Sequence, residues 1–271
     1  MSLIADSITL QRGRATILRD LSVEIRAGEI VAILGANGAG KSTLLRALAG
    51  ELAPSAGQVR LCGRPLPAWD RRELARRRAC VQPAQAIEFP FTVAELVGLG
   101  RHPHPSDPAR DRQRVAEAMA TTEVAHLATR RHTGLSTGER QRVELARALA
   151  QLSPPSAEAP AWLLLDEPTA NLDLAHAMVL LARVRQLVER GYGVAMVVHD
   201  LGLALRYADR VVLLADGRAL LDGLPRALVE RPELLREAYG LDAEVVPHPR
   251  GGWPVVLPTA AHLEPPPRSR P

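Results

Sequence analysis

The chain has 271 residues, with 46% hydrophobic and 3% aromatic content and a formal net charge of +4. That is enough for one large domain or a core with a subdomain, and no stretch approaches the ~18 uncharged apolar residues of a membrane helix. The first residues lack the basic-then-apolar order of a signal peptide, Cys62 and Cys80 have no metal or redox spacing and read as reduced thiols, and the shortage of aromatic rings argues against a stacking platform for single strands.

Residues 1–28 alternate apolar positions at Ile8, Leu10, Leu21, Val23 and Ile25, predicting strands around a turn at Arg12-Gly13-Arg14. Glu29 to Leu34 is the apolar run of a buried strand, and Lys41 to Ala49 reads as a helix stopped by Gly50. Between them lies Gly35-Ala36-Asn37-Gly38-Ala39-Gly40-Lys41-Ser42-Thr43, which fits the phosphate-loop pattern G-x-x-x-x-G-K-[ST]. Glycines let backbone wrap a polyphosphate, successive N–H groups point inward, and the helix end adds its positive dipole. Lys41 is the only lysine in the chain. A compact ammonium fits between phosphate oxygens inside a tight loop where a guanidinium fork does not. Ser42 would offer its hydroxyl to Mg²⁺.

Gln58 to Cys62 predicts a strand, Trp69 to Arg78 a basic helix with a solvated face, and Ala79-Cys80-Val81 a short strand leading to Gln82. Helical patterns then cover Val93–Gly100, Ala109–Thr121 and Glu139–Ala150, an inserted helical subdomain. After a Pro-rich loop at 151–160 the pattern alternates: strand Ala161–Leu165, helix Leu174–Arg190, strand Gly193–Val198, helix Leu201–Tyr207. Asp216-Gly217 marks a hairpin, Pro225–Tyr239 reads as helix, and a Pro- and Arg-rich tail follows. This gives a core with a β subdomain at 1–82 and 155–245, a helical subdomain at 83–150 and a tail at 246–271.

Asp166 and Glu167 end an apolar strand, where ligands of a parallel sheet lie. Asp166 is placed to hold Mg²⁺ through water, and Glu167 to poise an attacking water; taken alone, two acids after a strand also suit a turn. Ser136 and Glu139 make a capping box for the next helix, which is either a plain capped helix or a second anion site. His199 follows a strand and faces the same crevice. His102 and His104 stand among prolines, without an acid or thiol at ligand spacing, which disfavours a metal.

Taken together, these residues resemble the ATP-binding subunits of ATP-binding cassette (ABC) transporters. The phosphate loop at 35–43, Gln82, an L-S-x-G-x signature at Leu135–Glu139, the Leu163–Pro168 strand, the Leu172-Asp173 pair and His199 occur in that family's order. The resemblance implies a P-loop NTPase (RecA-like) α/β core, a small antiparallel β subdomain and an inserted α-helical subdomain, on the cytoplasmic face of the inner membrane. It implies ATP and Mg²⁺ as cofactors, with Ser42, Gln82 and Asp166 around the metal. Two copies would sandwich ATP, with Ser136 and Gly138 of one copy facing the γ-phosphate held by Lys41 of the other. Glu167 would be the general base, His199 would grip the γ-phosphate, Gln82 would relay closure, and Asp173 would couple the two sites. Two permease subunits and, indirectly, a periplasmic substrate-binding protein would complete the assembly, with no nucleic acid.

Thr137 and Glu139 depart from the usual L-S-G-G-Q, and Arg12 stands where the family stacks an aromatic on adenine. A guanidinium can stack on a ring, worth about 0.5–2 kcal/mol. Phe89 to Val97, followed by Gly98 to His104, resembles the importers of iron-siderophores, haem and vitamin B12, and among them the hemin importers; Val245–Pro249 and Trp253–Val256 do so too. Uptake of hemin is therefore the expected task, with a siderophore or cobalamin as the alternative cargo. A soluble cassette ATPase acting on nucleic acid or ribosomes is the alternative of another class.

Overall fold

The computed structural model describes residues 1–82 and 89–261; the expected domain boundary at 83 and the end of the tail lie outside them. Strands β1 (Ser2–Arg12) and β2 (Ala15–Arg26) form a hairpin, and β3 (Ile30–Gly35) runs into the phosphate loop and α1 (Lys41–Leu48). β4 (Ala56–Leu61), β5 (Arg64–Pro65), α2 (Arg71–Arg77) and β6 (Arg78–Val81) follow. The inserted helices are α3 (Val93–Gly98), α4 (Pro108–Thr121) and α5 (Thr137–Gln151). The chain then alternates β7 (Ala161–Asp166), α6 (Leu174–Glu189), β8 (Tyr192–Val197), α7 (Leu201–Tyr207), β9 (Arg210–Ala215) and β10 (Arg218–Gly223). It closes with α8 (Ala227–Glu230), α9 (Glu233–Tyr239) and a hairpin of β11 (Leu241–Pro247) and β12 (Pro254–Ala261).

These elements group into two compact units. One comprises Met1–Ser2, Arg26–Gly28 and Leu61–Ala195; the other comprises Leu3–Ile25, Glu29–Arg60 and the chain from Met196 onward. In the second unit β3 pairs with β9 in parallel, and β9 pairs with β10 in antiparallel. All of β3 is buried, as expected of a strand whose residues are almost all apolar. Asp209 accepts the Ile30 N–H at 2.8 Å, and Arg210 bonds Glu29 at 2.9 Å, pinning the start of β3 to that of β9. In the first unit β6 pairs with β7 in parallel, from Arg78 opposite Trp162 to Val81 opposite Leu165. Beside them α3, α4 and α5 pack on one another. Arg101, only 7% exposed, locks this packing by donating to Asp111 at 2.8 Å and to the Ala150 carbonyl at 2.7 Å.

The elements occur in the predicted order, and besides shifts of a residue or two at helix ends and the short β5 the main differences are these. α2 starts at Arg71 rather than Trp69, because the Asp70 side chain accepts the N–H groups of Arg72 and Glu73 and fixes the cap there. The helix expected over 225–239 breaks at Pro232, which cannot donate to a continuing ladder. Single 3₁₀ turns at Ala125–Leu127 and His132–Gly134 interrupt the helical insertion. The β11–β12 hairpin pairs Val245 with Val256 and Val246 with Val255, carrying residues 254–261 of the expected tail into a strand; the flanking prolines hide its β-branched alternation.

Candidate functional site

In the second unit, β3 delivers the chain into the phosphate loop. Gly35 has φ 143°, and a side chain there would begin 2.3 Å from the Leu214 carbonyl oxygen. Gly40 is the N-cap of α1 with φ 101°, and a Cβ there would stand 2.7 Å from Leu18. Both positions therefore require glycine. Asn37 and Gly38 form the exposed crest, Ala39 is buried, and Ser42 and Thr43 are half-buried on the first turn of α1. That turn carries no acidic residue, so no carboxylate offsets the positive end of its dipole. Lys41 is 6% exposed, and its Nζ donates to the carbonyls of Gly35 and Ala36 at 2.7 and 2.8 Å. A buried ammonium in a glycine-lined cradle beside the positive end of a helix fits a polyphosphate. Arg12 lies in the same unit, exposed at the end of β1 beside the Gly13-Arg14 turn. His199 is exposed just before α7, whose N-cap Asp200 accepts the Leu203 N–H at 2.9 Å.

In the first unit, β7 is buried through Asp166, which is 8% exposed. Glu167 then takes φ 50°, a conformation costly for a residue with a side chain, and its carbonyl accepts the Ala170 N–H at 3.0 Å. The turn breaks the chain away from the strand and sets Glu167 apart from Asp166. Gln82 leaves β6 one residue after Val81, level with Asp166 in the ladder, so both stand at the carboxyl edge of these strands. Among the described residues no group of three or more His, Cys, Asp or Glu side chains gathers into a metal site.

The signature residues open α5 in the same unit. The capping box forms as predicted: Ser136 Oγ accepts the Glu139 N–H at 3.3 Å, and Glu139 Oε2 accepts the Ser136 N–H at 2.7 Å. This bond to the Ser136 backbone, helped by Arg130 and Arg142, holds the Glu139 carboxyl below its ordinary range. Arg140 reaches back to the carbonyls of Thr133 and Leu135, at 3.2 and 3.0 Å, and stiffens the preceding turn. Gly138 faces Leu172 and His176. Asp173 caps α6 by accepting the His176 N–H at 2.8 Å, its second oxygen lies 2.7 Å from His176 Nδ1, and these bonds lower its pKa. The unit thus brings Ser136, Gly138 and Asp173 together. Gln141 of α5 ties them to the acid turn by donating to the Glu167 carbonyl at 3.4 Å.

Three contributors escape a reading of the sequence: Gln141, His176 and, in the second unit, Tyr239, whose hydroxyl accepts the Gly35 N–H at 2.8 Å. The i,i+3 spacing of Asp173 and His176 was a usable signal for that pair. Gln141 and Tyr239 act across 26 and 204 residues, and no local pattern marks them. His104 Nε2 donates to the Gln151 carbonyl at 2.8 Å, and burial lowers its pKa.

Residues 18–170 match the ABC transporter family. The chain is 49% identical over 253 residues to the hemin import ATP-binding protein HmuV of Pseudomonas entomophila, covering 93% of this chain and 98% of that protein. Its fold is similar to that of a metal-chelate type ABC transporter solved in an inward-facing conformation, with a TM-score of 0.79 and 25% identity over 96% of this chain and 97% of the other. It is also similar to a bacterial ABC transporter cassette solved as a dimer, with a TM-score of 0.69 and 26% identity over 82% of this chain and 98% of the other. The chain belongs to the ABC transporter family as one of its ATP-binding, ATP-hydrolysing P-loop subunits.

Proposed function

We propose that this ATPase powers the uptake of hemin through a separate permease. The observation that carries the cargo is the 49% identity, across nearly the whole of both chains, with a hemin import ATP-binding protein. The subunit works at the cytoplasmic face of the inner membrane, bound to two permease subunits that receive cargo from a periplasmic binding protein. The Phe89–His104 segment, with Phe89 63% and Leu99 50% exposed, supports such a docked arrangement.

ATP lies along the phosphate loop, its β- and γ-phosphates on the amides of Gly38 to Thr43 and on Lys41. Mg²⁺ would be held by the Ser42 hydroxyl, Asp166 and Gln82, oxygen donors that suit a hard cation, and would offset charge on the phosphates. A second copy closes the sandwich with Ser136 and Gly138, as the dimeric state of a related cassette supports. Glu167 takes a proton from water as the water oxygen bonds to the γ-phosphorus and the bond to the leaving ADP oxygen breaks. His199 steadies the γ-phosphate, Asp173 links the two sites, and Arg12 stacks on the base.

Reconstitution with the cognate permease in vesicles tests the reading. ATP-dependent accumulation of hemin is expected. Accumulation of a ferric siderophore or cobalamin instead would move the cargo to the alternative that the metal-chelate type neighbour supports. Purified protein that neither binds nor hydrolyses ATP, alone or with the permease, overturns the reading as a whole.

A further inference from the structure

Gly35 is the residue at which β3 becomes the phosphate loop. Its carbonyl accepts the Lys41 ammonium at 2.7 Å, and the Leu214 carbonyl leaves no room for a side chain on its α-carbon. Its N–H points the other way and is accepted by the Tyr239 hydroxyl at 2.8 Å. Gly35 is buried, so that N–H has no recourse to solvent if the phenol is removed.

Tyr239 is well placed to hold it. It is the last residue of α9, which packs on β9 and β11. Gly240 takes φ 65° and returns its N–H to the Arg236 carbonyl at 2.8 Å, ending the helix there and fixing the direction of the ring. Burial pushes the phenol up to about 12, against the weaker pull of the Gly35 hydrogen bond. The hydroxyl therefore stays neutral and adds no negative charge beside a loop built for anions.

We infer that Tyr239 is a positioning residue for ATP: its hydroxyl fixes the backbone at Gly35, and with it the carbonyl under Lys41, so that the loop amides and the ammonium meet the phosphates without rearranging. The inference rests on ATP lying in this loop. It links the chain's C-terminal segment to the nucleotide, because β11 begins two residues after Tyr239. β12 packs on α7, where the Arg206 guanidinium lies 4.8 Å from the centre of the Trp253 ring.

Tyr239→Phe in the full chain removes one oxygen and keeps the ring. ATP binding measured by calorimetry is expected to weaken about 5- to 20-fold, from an unsatisfied buried N–H. The loss should fall on KM for ATP rather than on kcat. Amide exchange at Gly35, followed by NMR, should be as slow as in β3 for the wild type and much faster in the variant. Wild-type affinity in the variant, or rapid exchange at Gly35 in the wild-type protein, overturns the inference. If the variant does not fold, the wild-type exchange rate decides alone. Wild-type protein that binds no ATP at all would instead remove the nucleotide reading on which this one stands.

Discussion

Two helix N-termini in this chain are expected to meet the same triphosphate, and they are built in opposite ways. α1 opens on Gly40, with no side chain to cap it and no acid in its first turn, and Lys41 adds a positive charge. α5 opens on Ser136, and the Ser136–Glu139 box engages the N–H groups of those two residues. The first end has neither a side-chain cap nor a carboxylate to oppose an anion. The second is capped by its own side chains and carries a carboxylate. One end is therefore suited to binding ATP alone. The other contributes a hydroxyl and a shaped surface, which gain value only when a second copy brings a phosphate to them. That division gives a physical reason for a cassette to bind nucleotide as a monomer and to need a dimer for turnover.

The sharpest way to separate binding from turnover is Glu167→Gln. The change keeps shape and removes the base. Turnover should fall about 10²- to 10⁴-fold, the usual contribution of a general base. ATP binding should persist, and gel filtration with ATP should show a trapped dimer. Undiminished phosphate release would take Glu167 out of that role.

Lys41→Ala strikes the α1 end and should weaken nucleotide binding about 10- to 100-fold, the worth of charged hydrogen bonds. Calorimetry on the isolated subunit reads this directly. Ser136→Ala strikes the α5 end and should behave differently. ATP affinity of the isolated subunit should stay near wild type, while ATPase activity with the permease drops. Thermal unfolding should report about 1 kcal/mol lost with the cap. Equal effects of both variants on monomer binding would erase the contrast between the two ends.

The same contrast bears on what could be known beforehand. The shape of the phosphate loop was legible, because it lies in nine adjacent residues, of which Gly35, Gly38 and Gly40 take a positive φ, and its lysine is unique in the chain. The α5 cap was legible for a similar reason, since Ser136 and Glu139 satisfy each other three residues apart. What stayed hidden is held by distant partners. Tyr239 supports Gly35 from the far end of the chain, and Gln141 meets the Glu167 carbonyl across a loop and a strand. The left-handed turn at Glu167 was also invisible, because nothing in Asp-Glu-Pro requires a positive φ, and tertiary contacts must impose it. The β11–β12 hairpin was obscured by prolines that suit strand ends as well as loops.

The smallest expected effect comes from Glu139→Gln, and it tests whether the carboxylate at the α5 end works against the ligand. Gln at this position keeps the capping box, so the fold should hold. The Glu139 carboxyl is held below its ordinary range, chiefly by the Ser136 N–H, so its charged form favours the folded state. That stabilisation is fully present above the unfolded carboxyl pKa of about 4.3 and disappears as pH falls through the folded value. The wild type should therefore melt slightly above the variant at pH 7, and the two should converge in acid. ATP-driven dimerisation at neutral pH should move the other way, tightening a few-fold in the variant as one negative charge leaves a surface that meets phosphate. Sedimentation with ATP in Glu167→Gln and in Glu167→Gln/Glu139→Gln reads that shift with hydrolysis suppressed. A weaker dimer in the double variant would mean that Glu139 serves the interface rather than opposing it, and the two helix ends would then be complementary rather than opposed.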